Sequence, residues 1–208
     1  MKLLTLCLFC LAVARADTLF DQSGPNGNAV DFVDFRTADD FTLTGSSLVD
    51  GINFWYSAQF QTDLSSVTYA IYSNAAGALG SLVSTGTLTP VTSYDSTDNT
   101  YFAALTLSAV SIGAGTYWLE LHGGASLTDD NGGIAVWWDS ANDNTTYMAL
   151  QTSSSDPLAL PNQPIAVSGY EQQAFQIEGS TQGSSVPEPS SVLTVSAGLL
   201  ALIHRRLK

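Results

Sequence analysis

Apolar side chains in residues 17–178 recur at every second position, and no stretch repeats them at the 3.6-residue helical period. In Val67-Thr68-Tyr69-Ala70-Ile71-Tyr72, the side chains of Val67, Tyr69 and Ile71 share one face. Ile52, Phe54 and Tyr56 do the same, as do Tyr117, Leu119 and Leu121. Such alternation marks antiparallel strands with one face packed on a core. Turn signals separate the segments: Gly24-Pro25-Asn26-Gly27, residues 74–80, residues 93–99, Gly113-Ala114-Gly115 and Asp129-Asp130-Asn131-Gly132-Gly133. Eight to ten short strands at about the 8–12-residue spacing of sandwiches and barrels predict an all-β, antiparallel, jelly-roll-like β-sandwich. A first strand is expected at residues 39–43 and a last one at 174–178. About 160 residues can bury a core without disulfide staples, and both cysteines, Cys7 and Cys10, lie outside this body.

The two ends read differently. Lys2, an apolar run over residues 3–13 and Ala14-Arg15-Ala16 predict a signal peptide over residues 1–16. The sandwich is expected over 17–179 and a small polar linker over 180–186. An apolar helix at about 190–203 then precedes His204-Arg205-Arg206-Leu207-Lys208. Its twelve-residue core, residues 192–203, spans about 18 Å at 1.5 Å per residue, short against a bilayer core of about 30 Å. The basic end holds the extreme C-terminus inside, so membrane association is expected to be transient.

Charge narrows the function classes. Of the 6 basic residues only Arg36 lies within 17–186, against all but one of the 19 acids. Nucleic-acid binding requires a basic footprint that this body lacks, and anionic lipid surfaces are disfavoured for the same reason.

No catalytic set emerges. The carboxylates occur in turns, where Asp accepts backbone hydrogen bonds, and no spacing pairs two of them for glycoside hydrolysis; a secreted hydrolase is the weakest reading. His122 has no second histidine for zinc and follows no nucleophile elbow, so it reads as a strand-end structural residue. Arg36 reads as an ion-pair partner of Asp34, Asp39 or Asp40. No cofactor is required. Ca²⁺ is the ligand that Asp129, Asp130, Asn131, Asp139 and Asp143 would suit, because hard cations take loop carboxylates and amides. Trp55, Trp118 and Trp137 are candidate carbohydrate contacts, set against the alternative that they fill a core. Trp137 and Trp138, adjacent on one strand, must point to opposite faces.

Val186-Pro187-Glu188-Pro189, the short apolar helix and Arg205-Arg206, in that order, resemble the PEP-CTERM sorting signal of Gram-negative bacteria over about the last 23 residues. The resemblance implies recognition of Pro187, Glu188 and Pro189, with Arg205 and Arg206 as the basic end. It implies exosortase, a membrane cysteine transpeptidase, as a partner, and delivery to the cell surface or extracellular polymer matrix. Ala38-Asp39-Asp40-Phe41-Thr42-Leu43, Gly115-Thr116-Tyr117-Trp118-Leu119 and Ala174-Phe175-Gln176-Ile177-Glu178-Gly179 resemble the β-rich bodies that carry such tails, which implies no activity. The expected protein is thus an exported structural or adhesive sandwich, with exopolysaccharide as a candidate partner.

Overall fold

The computed structural model describes residues 17–59, 64–127, 136–142, 145–153, 155–157 and 159–182. The signal segment and the whole sorting tail, including Pro187, Glu188, Pro189, Arg205 and Arg206, lie outside these residues. Among the described residues no helix is long and apolar enough to cross a membrane.

Among the described residues thirteen strands form in chain order: β1 (Asp17–Gln22), β2 (Pro25–Asp31), β3 (Thr37–Leu43), β4 (Ser47–Ala58), β5 (Val67–Asn74), β6 (Leu79–Leu88), β7 (Val91–Asp95), β8 (Thr100–Ile112), β9 (Gly115–Gly123), β10 (Val136–Ala141), β11 (Leu150–Gln151), β12 (Gln163–Pro164) and β13 (Phe175–Thr181). They build two antiparallel sheets packed face to face. Sheet B runs β12-β11-β3-β9-β5-β6. Sheet A is organised around β4, which pairs with β8 along one edge. Its other edge is shared: β13 takes residues 47–54 and β10 takes residues 56–58. At the junction the Trp55 N–H donates to the Ala174 carbonyl and the Ala174 N–H donates to the Asp139 carbonyl. β1 flanks β13, β2 flanks β10, and β7 flanks β8.

Alternation places the core where the sequence predicts it. Ile52, Phe54 and Tyr56 from sheet A meet Tyr69, Ile71, Leu119 and Leu121 from sheet B in one cluster with Phe41, Trp138 and Phe175. Within sheet A two register shifts converge on β4, where β13 and β8 flank it. There a Cβ on Gly51 would stand 2.9 Å from the Glu178 Cβ, so glycine is required.

Three sequence expectations fail for physical reasons. Residues 21–28 are not an entry turn, because they end β1 and build most of β2. Gly24 and Gly27 take positive φ there, and Asn26 is held through its amide to the Ala141 and Gly169 carbonyls at 2.8 and 2.9 Å. Residues 93–95 belong to β7 rather than to a turn, paired with β8 despite their polarity. β13 runs to Thr181, past the predicted start of the linker at residue 180.

The outer face of sheet B is itself covered. Residues 145–149 lie over it before the chain joins its edge as β11, held by backbone bonds from Ala149 to Glu171, from Ile165 to Ala149 and, after β11, from Thr152 to Arg36. A second cluster of Ala38, Ala70, Tyr72, Trp118 and Leu150 lies beneath, with Tyr147 packed against it.

Candidate functional site

The three candidate tryptophans separate on strand parity and covering. On β4 the odd residues Asn53, Trp55 and Ser57 point away from the core, and on β10 Trp137 does so while Trp138 enters it. Trp138 is fully buried and its indole N–H donates to the Ala174 carbonyl at 3.0 Å. Trp137 is half-buried on the outer face of sheet A, registered with Ser57 on β4 and Asp31 on β2. Trp55, also half-buried, is registered with Phe102 on β8 and meets its ring edge-to-face at 5.2 Å and 66°.

Trp118 is corrected. It points outward from sheet B, but the covering segment buries it completely. Tyr147 stacks on it at 5.9 Å, and its indole N–H donates to Asn74 Oδ1 at 3.1 Å. The same oxygen accepts from the Gly77 N–H at 2.9 Å, tying Trp118 to the β5–β6 turn. Neither ring face is open to a ligand.

Around Trp55 lies a groove of about 490 Å³, lined by Pro25, Trp55, Ser93, Tyr94, Asp95, Ser96, Asp98, Thr100 and Phe102. That volume falls within the range of small-ligand sites. Its rim is the β7–β8 turn. Asp95 Oδ1 accepts from the Thr97 N–H at 2.8 Å, and Asn99, at φ 55°, accepts from the Tyr94 hydroxyl at 2.8 Å. The turn therefore holds the Asp95 carboxylate in place before any ligand arrives. Beneath the groove Thr100 donates to Asp139 Oδ2, and Ser57 donates to Oδ1 at 2.5 Å. Burial pushes the Asp139 carboxyl above its ordinary value, against the lowering effect of the two hydroxyls. Chemically the groove offers an aromatic ring, hydroxyls and carboxylate acceptors. The negative face of an indole attracts the C–H-bearing face of a pyranose ring, and the carboxylates can accept from its hydroxyls.

Asp139 is also corrected as a metal ligand. It is not an open loop carboxylate but sits in β10, buried, with each oxygen taken by a hydroxyl. Among the described residues no three His, Cys, Asp or Glu side chains converge on a point that could hold a metal. Asp129, Asp130, Asn131 and Asp143 lie outside the described residues.

The ion pair that Arg36 makes is with Glu120, not with Asp39 or Asp40. Its guanidinium grips Glu120 of β9 with two bonds, Nε–Oε1 at 2.5 Å and Nη2–Oε2 at 3.0 Å, and it approaches the Tyr72 hydroxyl at 3.4 Å. Burial opposes the charge on Arg36, yet the Glu120 hydrogen bond and charge outweigh it and raise the guanidinium pKa. Burial and the Glu120 charge together raise the Tyr72 phenol. His122, on the same face of β9, is fully buried, as a structural residue would be.

Asp39 and Asp40 serve joints in the fold. Asp39 Oδ2 accepts from Gln22 Nε2 at 2.9 Å and from the Gln173 N–H at 2.6 Å, so one carboxylate links β3 to the ends of β1 and β13. Complete burial raises its pKa well above the usual carboxylate range. Asp40 accepts from the Tyr147 and Thr146 N–H groups of the covering segment at 3.0 and 3.4 Å, and burial raises its pKa as well.

A second groove, of about 500 Å³, lies beside Asn26, Thr145, Tyr147, Glu171 and Gln172. Its polar groups mainly satisfy one another. Thr145 donates to Gln172 Oε1, Gln172 Nε2 donates to the Tyr147 carbonyl at 2.7 Å, and the Gly169 N–H donates to Glu171 Oε2 at 2.5 Å. The Trp55 groove offers more uncommitted aromatic and carboxylate surface.

Sequence reasoning missed Phe102, Asp95 and Asp98, which only strand register brings to Trp55. It also missed Glu120 as the partner of Arg36. One signal was available: a sole cation in an acidic body pairs with a carboxylate on a strand face that burial makes costly to leave alone. Comparison with known proteins finds no family whose pattern matches the chain and no curated relative.

Proposed function

We propose that this chain is an exported, non-enzymatic protein of the bacterial cell surface or extracellular matrix that binds neutral polysaccharide along the Trp55 groove. The observation that carries the reading is the pairing of a half-buried Trp55 and Phe102 with Asp95, Asp98 and Thr100 in one preformed groove. The body has one arginine, sequestered by Glu120, and every other charge is acidic. Anionic polymers are repelled by such a surface, which leaves neutral glycans as the ligand class.

Export and sorting rest on the sequence. Residues 1–16 direct secretion, Pro187-Glu188-Pro189 is presented to exosortase, and the helix at about 190–203 with Arg205 and Arg206 holds the chain in the membrane until it is processed. The jelly-roll-like description rests on repeated crossing between sheets, with β3, β5–β6, β9 and β11–β12 in sheet B and the intervening strands in sheet A.

Affinity electrophoresis of the exported protein in gels containing neutral or acidic polysaccharides tests binding. Retardation by at least one neutral glycan, lost in Trp55→Ala, is expected, and equal mobility in every gel rejects the saccharide reading. Deleting Pro187–Pro189 tests sorting separately: the precursor should accumulate in the membrane fraction, and unchanged mass and location remove exosortase from the account.

A further inference from the structure

The acidic character of the body stops at one flank. Residues 64–94 contain no charged side chain, and residues 64–119 contain only Asp95 and Asp98. This stretch supplies β5 to β8 and most of β9. Among the described residues β6 ends sheet B, with β5 as its one strand partner. β7 covers β8 over residues 100–104 alone, so the rest of β8 is also open on that side. A groove of about 540 Å³ separates the two open edges, and Ser84, Gly86, Leu88, Leu107, Ala109 and Ser111 are among its uncharged walls. Leu82 and Val83, neighbours in sequence, are 53% and 40% exposed.

An unpaired strand edge is a template for another strand, and proteins blunt such edges with charges, prolines, bulges or shortness. The other edges here follow that rule, the open part of β8 through a bulge at residues 107–109 where it faces β4. β1 carries Asp17 and Asp21 and a register shift between Thr18 and Phe20. β2 begins at Pro25 and ends at Asp31, β12 is two residues long and includes Pro164, and β7 is five residues long and closes on Asp95. β6 is ten residues long with neither charge nor proline. Its register shifts fall where it faces residues 71–74 of β5, which leaves residues 84–88 in regular pairing.

We propose that β6 is a self-association edge, which pairs antiparallel with β6 of a second copy and joins two sheets B across a two-fold axis. A second copy is the occupant that the charge pattern selects. Two such acidic bodies repel wherever their remaining surfaces meet, and this flank is where they can approach without opposing charges. Antiparallel pairing of one strand with itself is self-complementary, as a two-fold interface requires. This inference stands apart from saccharide binding.

The absence of cysteine from residues 17–208 makes the test direct. Single cysteines are placed at Val83, Thr85 and Thr87 in the full chain carrying Cys7→Ala and Cys10→Ala, with Thr18→Cys on β1 as the control edge. Under mild oxidation at least one β6 position should give covalent dimer several-fold above the control, and added Val83→Lys should abolish the dimer formed through Thr85→Cys or Thr87→Cys. Circular dichroism of each variant establishes that the fold persists. Dimer yields equal to the control, or yields unaffected by the lysine, overturn the proposal. Disulfide capture of an unrelated protein at β6 in place of a second copy overturns it too.

Discussion

The outer faces of the two sheets carry the same kind of residue and put it to opposite uses. On sheet A Trp55 stands half-open beside Phe102, and nothing described crosses above it. On sheet B Trp118 occupies an equivalent outward position but is roofed by Tyr147 and sealed with Arg36 and Glu120. Outward parity on a strand therefore does not settle exposure. A later segment of chain decides which outward face becomes a second core and which remains available to a ligand.

The largest effect that can break this contrast belongs to the sealed face. Glu120→Ala leaves the buried Arg36 guanidinium without its carboxylate, and should cost about 3–5 kcal/mol in urea denaturation. Arg36→Met with Glu120→Leu should recover most of that loss; a double variant as unstable as Glu120→Ala would mean that the loss does not come from an orphaned charge and that the pair itself stabilises this face. Trp118→Ala should cost a similar amount, about 3–5 kcal/mol as for other large buried aromatics, with saccharide mobility shifts unchanged in whatever fraction stays folded. Trp55→Ala is the converse case. Its loss of stability should be less than half that of Trp118→Ala, while glycan affinity should fall about tenfold or more, equivalent to about 1.4 kcal/mol. Equal stability losses in the two variants would erase the distinction between the faces.

The smallest effect is a pH dependence. Asp39, Asp40 and Asp139 all have carboxyl pKa values raised by burial. The folded state therefore keeps protons that the unfolded chain releases from about pH 3.9 upward. Their contribution is fully present below that unfolded value and is lost as pH rises through the folded values. Asp21 shifts the other way. Burial raises it, but bonds from Ser23 and Gln176 outweigh burial and leave it lowered; it is largely exposed and its effect is small. The melting temperature should thus rise as pH is lowered from 7 towards the unfolded carboxyl value of about 3.9. A decline over that interval would show that the buried carboxyls are ionised partners and not protonated joints.

Much of this architecture is legible in residue order. Period-two alternation fixes which side chains of β4, β5 and β9 enter the core, because parity is a local property of an extended chain. What alternation cannot supply is neighbourhood. Phe102 and Trp55 are far apart in sequence and meet only through the β4–β8 register. Trp118 reads as exposed because nothing in its own strand predicts that residues 145–149 fold back across it. Polar stretches of β2 and β7 read as turns because their stabilisation comes from pairing with partners already in place rather than from their own apolar content. Asp139 reads as a loop ligand for a similar reason: its neighbours in sequence are polar, while its neighbours in space are two hydroxyls on β4 and β8.

The burial of Arg36 has a practical corollary. Proteases that cut after lysine or arginine find a single susceptible bond in residues 17–182, and it follows a side chain only 6% exposed on a backbone tied to Thr152. While folded, this region presents such enzymes with no accessible cleavage point. Cleavage at that one bond, yielding two fragments of known mass, becomes a clock for how often the covering segment lifts away.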